Sequence, residues 1–132
     1  MKAIYTTKNS KLAVELDAST YKDLWKQLAS FQEAFEEDKC GKCNSTHLRF
    51  VIRKSKDSKG KEYEYYELRC TECGAKLSFG LADDGSGSLY PKRFVTDDKG
   101  RTVKDEATGK SIPLGSKKNG WLKWNPETKK EE

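Results

Sequence analysis

Four cysteines stand in two close pairs, Cys40-Gly41-Lys42-Cys43 and Cys70-Thr71-Glu72-Cys73. A Cys-x-x-Cys turn sets two sulfurs on one side of a tight knuckle, and two such knuckles supply the four soft ligands that tetrahedral zinc takes. Cys40, Cys43, Cys70 and Cys73 are therefore expected to hold one structural Zn2+. With thiolate at all four positions the metal keeps no place for water, so zinc-based hydrolysis is not expected. Gly41 and Gly74 suit the tight backbone of the knuckles. The 26 residues between Cys43 and Cys70 exceed the common spacing. A two-stranded excursion with Asp57-Ser58-Lys59-Gly60 at its tip accounts for the excess. His47, the single histidine, reads as a surface or turn residue, because the thiolates already fill the metal's shell.

A second chemistry lies in rings set among cations. Leu48, Phe50 and Ile52 alternate with Arg49, Val51 and Arg53, at the period of a strand. On the next strand Tyr63 and Tyr65 share a parity with Arg69, and Lys76 falls on a third. One sheet face is thus expected to gather Arg49, Arg53, Tyr63, Tyr65, Arg69 and Lys76. Rings of this kind stack on bases at about 1–3 kcal/mol each while the cations follow the phosphates, which suits single-stranded nucleic acid. Ordinary cross-strand pairs on a solvated sheet fit the same residues, and a one-residue slip would reverse the faces. Tyr90, Lys92 and Arg93, with Trp121 and Trp124, form a second candidate surface, although at least one of these tryptophans is expected in the core.

The elements that must position these groups are few. Residues 3–16 read as a β-hairpin turning at Lys8-Asn9-Ser10. Ser19 or Thr20 offers a helix N-cap, with Asp23 placed as in a capping box. Tyr21, Leu24, Trp25, Leu28, Phe31 and Phe35 then form one apolar helical stripe ending near Glu37-Asp38, expected to pack on the chain's own sheet. Residues 39–82 read as three strands with two metal knuckles. The expected class is α+β: a small antiparallel sheet with a four-cysteine zinc ribbon, one amphipathic helix and an N-terminal hairpin. Residues 1–96 hold these elements. Residues 97–132 read as a polar, partly flexible extension with a tryptophan-containing segment.

Of 132 residues, 34% are hydrophobic and 36% charged, so the core is thin and a metal staple is apt. The net charge of +5 is uneven. Residues 1–38 hold 5 basic and 7 acidic residues, residues 39–96 hold 12 and 7, and residues 97–132 hold 9 and 7. Positive charge therefore gathers on the cysteine-bearing segment, as a polyanion-binding surface requires. Met1-Lys2-Ala3-Ile4 leads into polar sequence rather than an apolar run, and no stretch is apolar enough to span a bilayer. A soluble, intracellular protein without a membrane partner is expected, in a reducing compartment where paired thiols favour metal over disulfide.

Over residues 38–82 the order of knuckle, strand, hairpin, second knuckle and strand resembles the zinc ribbon family. That resemblance implies a metal-bound scaffold used in nucleic-acid binding, transcription, ribosomal factors or protein interaction. The helix leading into Cys40-Gly41-Lys42-Cys43, the strand Tyr66-Glu67-Leu68-Arg69-Cys70 and the closing Asn119-Gly120-Trp121 are similar to small phage-encoded proteins of replication and recombination modules. This second resemblance implies single-stranded DNA binding, an accessory role in replication or recombination, and a bacterial host's cytoplasm as location. The alternative is a protein-interaction module, an adaptor or inhibitor, anchored by the helix or the Trp121–Trp124 segment. No nucleophile–base pair or glycine-rich phosphate loop is evident, so an enzyme is not expected.

Overall fold

The computed structural model describes residues 1–132. It is an α+β chain with one helix and mostly antiparallel strands. Strands β1 (Lys2–Thr6) and β2 (Ala13–Asp17) form the first hairpin, in register from Lys2 opposite Asp17 to Thr6 opposite Ala13. Its turn is held by Asn9, whose Oδ1 accepts from the Thr7 hydroxyl at 2.6 Å and from the Lys11 N–H at 3.0 Å.

Helix α1 (Tyr21–Phe35) starts where its sequence says it should. The Thr20 hydroxyl accepts the Asp23 N–H at 3.1 Å, satisfying one of the orphan donors of the first turn. In the same compact unit the helix lies on the hairpin. Tyr5 meets Phe31 edge-on at 5.2 Å, Phe31 meets Phe35 at 4.6 Å, and the Tyr5 hydroxyl donates to Glu36. Tyr21 and Trp25, counted in the apolar stripe, are instead 82% and 77% exposed.

The principal sheet contains β3 (Leu48–Lys56), β4 (Glu62–Cys70), β5 (Lys76–Leu81) and β6 (Leu89–Pro91) in that order, with β7 (Trp121–Leu122) also pairing β5. A last two-stranded ribbon joins β8 (Trp124–Asn125) to β9 (Lys130–Glu131). The β3–β4 turn is an aspartate-capped loop in which Asp57 Oδ1 accepts the N–H groups of Lys59 and Lys61, and Gly60 takes φ +81. Asp97 accepts from Lys99 and Arg101 in the same way, with Gly100 at φ +78.

Two compact units result, Met1–Asp38 with Leu81–Tyr90, and Lys39–Gly80 with Pro91–Glu132. Residues 97–132 thus belong to the unit that carries the cysteines. Their polar middle is tied by backbone bonds: Val95 N–H to Ile112 C=O, Ile112 N–H to Val103 C=O, and Val103 N–H to Val95 C=O, at 2.8, 3.2 and 2.9 Å. The core of this unit is small and consists of Cys40, Leu68, Cys70, Ala75, Leu77 and Trp121. Phe50 and Ile52, on the apolar parity of β3, are 64% and 61% exposed. No helix is long and apolar enough to cross a membrane.

Candidate functional site

The two knuckles are built alike. Asn44 N–H donates to Cys40 C=O and Gly74 N–H to Cys70 C=O, each at 3.0 Å. The residue after the second cysteine is left-handed in both, with Asn44 at φ 64 and Gly74 at φ +80. Asparagine and glycine are the residues that reach this conformation at least cost. Gly41 has another role. A Cβ there would lie 2.2 Å from Trp121 Cδ1 and 2.5 Å from Asn119 Nδ2, so the glycine makes room rather than a turn. Asn119 Nδ2 donates to Gly41 C=O at 2.9 Å and Lys117 Nζ to Lys42 C=O at 2.7 Å. The late loop thereby clamps the first knuckle over the buried Trp121.

The sulfurs of Cys40, Cys43, Cys70 and Cys73 all lie within 4.8 Å of one another. Cys40 and Cys73 are 3.6 Å apart, as are Cys43 and Cys70. Tetrahedral bonds of about 2.3 Å would separate the sulfurs by about 3.8 Å, so one metal ion fits the cluster. Backbone N–H groups point at the sulfurs from Lys42 to Cys40 at 3.3 Å and from Cys73 to Cys70 at 3.5 Å, which favours thiolate. Burial pushes the Cys73 thiol up to about 12. At Cys70 burial also acts upward, but the N–H groups of Cys73 and Glu72 hold the thiol down to about 6. His47 stands aside from the cluster, its Nδ1 2.6 Å from Glu72 Oε1 on the surface.

Above the knuckles, β3 and β4 are paired with Arg49 opposite Arg69, Arg53 opposite Tyr65, and Ser55 opposite Tyr63. On β5, Lys76 stands opposite Arg69. Directly opposite residues share a face, so the register brings Arg49, Arg53, Tyr63, Tyr65, Arg69 and Lys76 to one side. The Arg53 guanidinium lies 4.3 Å from the centre of the Tyr65 ring, and Lys61 Nζ lies 5.3 Å from that of Tyr63.

Glu67 also sits on this face, opposite Val51 and Ser78, and sequence reasoning passed over it. Its side chain is 1% exposed and meets three cations: Arg69 at 2.8 Å, Lys76 at 3.4 Å and Arg53 at 3.7 Å. Burial pushes the Glu67 carboxyl upward, but the Arg69 hydrogen bond and the charges of Lys76, Arg69 and Arg53 outweigh it and lower its pKa. Its signal in the sequence was its parity, shared with Tyr65 and Arg69.

The remaining candidates divide. Lys76 is spoken for, bridging Glu67 and Glu131 with a side chain only 15% exposed. Trp121 is 1% exposed and fills the core, so it offers no ring to a base and no anchor to a partner. Trp124 is 56% exposed and stands opposite Glu131 on the ribbon, away from the pairing of β3, β4 and β5. Arg93 donates to Asn119 C=O at 2.7 Å and braces the clamp loop. Tyr90, 41% exposed, and Lys92 lie at and just beyond β6, where Lys92 N–H donates to Ser78 C=O.

Comparison with protein-family models, with curated proteins and with solved structures finds no match.

Proposed function

We propose that the protein binds single-stranded nucleic acid, DNA in the first instance, on the β3–β4–β5 face, with a structural zinc as its staple. The observation that carries this reading is the alignment of Arg49, Arg53 and Arg69 with Tyr63 and Tyr65 on one face. Tyr63 and Tyr65 are 38% and 36% exposed, enough for a ring to receive a base. Stacking is indifferent to base identity because every base has a π-face, so little sequence is read. The arginines track the phosphates, and their release of counterions makes binding salt-sensitive. Glu67 holds Arg53 and Arg69 across the sheet, so their side chains are positioned before a strand arrives.

Zinc is the ion proposed for the four thiols because a closed tetrahedral set of four cysteines is one of its structural sites. The ribbon-like order of knuckles and strands supports reading this segment as a zinc ribbon. The phage-like segments noted in the sequence support an accessory role in replication or recombination, exercised in a bacterial cytoplasm.

The test is fluorescence anisotropy of a labelled single-stranded oligonucleotide titrated with zinc-loaded protein, at low and high salt, with a duplex as control. Preference for the single strand and a steep fall with salt are expected. Tyr63→Ala and Tyr65→Ala should each cost about 1–3 kcal/mol of binding with zinc content unchanged. Full affinity in the double variant would remove this face from consideration.

A further inference from the structure

Strand β3 is nine residues long and ends the order β3-β4-β5-β6, so its outer side is a sheet edge. Such an edge presents a row of main-chain donors and acceptors and is a template for another strand. Its side chains are mostly exposed. Arg49, Arg53, Lys54 and Lys56 give it four cations and it carries no acid. Phe50 and Ile52 share a face with Lys54 and Lys56, and Arg49 and Arg53 point the other way. The face of Phe50 and Ile52 is opposite to the one bearing Tyr63 and Tyr65.

The kind of strand that suits β3 is displayed by its existing neighbour. Opposite Lys56 and Lys54 stand Glu62 and Glu64, with ion pairs of 3.5 and 3.9 Å. Opposite Ile52 and Phe50 stand Tyr66 and Leu68. An antiparallel strand on the outer side would meet the same β3 side chains in the same order. Two acids two residues apart, followed by two apolar residues two apart, would match them. A second copy of β3 is a poor occupant, since it would set four cations against four.

The geometry points to the outer edge of β3 as a docking site for an extended, acidic and apolar segment of a partner protein, added as a further strand. Main-chain bonds supply affinity and the alternating side chains supply choice, as in β-strand addition generally. This goes beyond the nucleic-acid reading and does not rest on it.

The probe is a capped peptide copying Glu62–Arg69, titrated into zinc-loaded full-length protein and followed by backbone amide shifts. The expected result is saturable binding with shifts centred on Leu48–Lys56. A peptide with lysine at its two leading glutamate positions should bind at least about tenfold more weakly. The protein variant K54E/K56E should reverse that order, preferring the lysine peptide. The Tyr63→Ala/Tyr65→Ala protein, defective for oligonucleotide, should bind the peptide as before, so the two readings fail separately. The proposal is overturned if the glutamate peptide does not bind or if K54E/K56E leaves the peptide order unchanged. It is equally overturned if the protein alone dimerises through β3 in sedimentation, or if an oligonucleotide, rather than the peptide, loses affinity in K54E/K56E.

Discussion

At Gly41 an added methyl group would have to displace Trp121 and Asn119, both held by neighbours of their own. At Gly74 the obstacle is conformational instead: φ is +80 and nothing lies within 4 Å of where a Cβ would stand. Gly41→Ala should therefore cost about 1–3 kcal/mol by overpacking, seen as a lower urea midpoint of the zinc-loaded protein. Gly74→Ala should cost about 1 kcal/mol through backbone strain alone. Asn44→Gly, at the equivalent left-handed position of the first knuckle, should be tolerated. Equal losses at Gly41 and Gly74 would show that space beneath Trp121 is not what Gly41 provides. The sequence signals the cysteine spacing and Gly74, because both are local. It does not signal Gly41's role or Asn44's, because one depends on a loop 78 residues away and the other on a conformation glycine need not supply.

Strands and helix emerge from periodicity wherever one face is buried or capped. Thr20 marks the start of α1, and alternation says which residues within β3 or within β4 share a side, whereas the register that joins the two sets into one basic face is set by the pairing of Arg49 with Arg69 and Arg53 with Tyr65. Periodicity says nothing of which apolar face is covered, and so Phe50, Ile52, Tyr21 and Trp25 came out exposed. Nor does counting cations reveal their counterion. Glu67 has the parity of the arginines and the opposite sign, and its burial among them makes it part of the sheet's framework. Its folded-state pKa is lowered by those cations. Its stabilisation is therefore complete above the pKa of the unfolded chain and lost as pH falls through the lower, folded value. Glu67→Gln should destabilise the zinc-loaded protein by roughly 1.5–3 kcal/mol near neutrality, the worth of a hydrogen bond to a charged partner. The gap to the parent should then close in acid, below the ordinary carboxylate range. Metal loss in acid affects both proteins, so the difference between their urea midpoints isolates Glu67. A gap that stays constant with pH would mean its charge is not what matters.

At the scale of the whole chain, the cysteines are also core residues. Cys40 and Cys70 are 1% and 2% exposed and belong to the six-residue cluster that the second unit has for a core. A core this small offsets little of the ordering of a segment this rich in charge, so an ion held by the four thiols would add its binding to the folding free energy. Thiols must shed their protons to bind, so the metal's affinity rises with pH. The first unit holds no cysteine and takes its order from the hairpin and the aromatic contacts of α1. Chelation should therefore melt the second unit while leaving helical signal from Tyr21–Phe35. The three tryptophans make this readable. Trp25 and Trp124 are already 77% and 56% exposed, whereas Trp121 is 1% exposed, so a red shift of emission on chelation reports Trp121. One equivalent of zinc should restore the blue emission, and Cys70→Ser should abolish that restoration by removing one of the four sulfurs. If the emission of the parent protein is indifferent to a strong chelator, the thiols are not what holds Trp121 in place. If helix and Trp121 instead fail together at the same chelator concentration, the metal organises both units, and the hairpin is no independent support for α1.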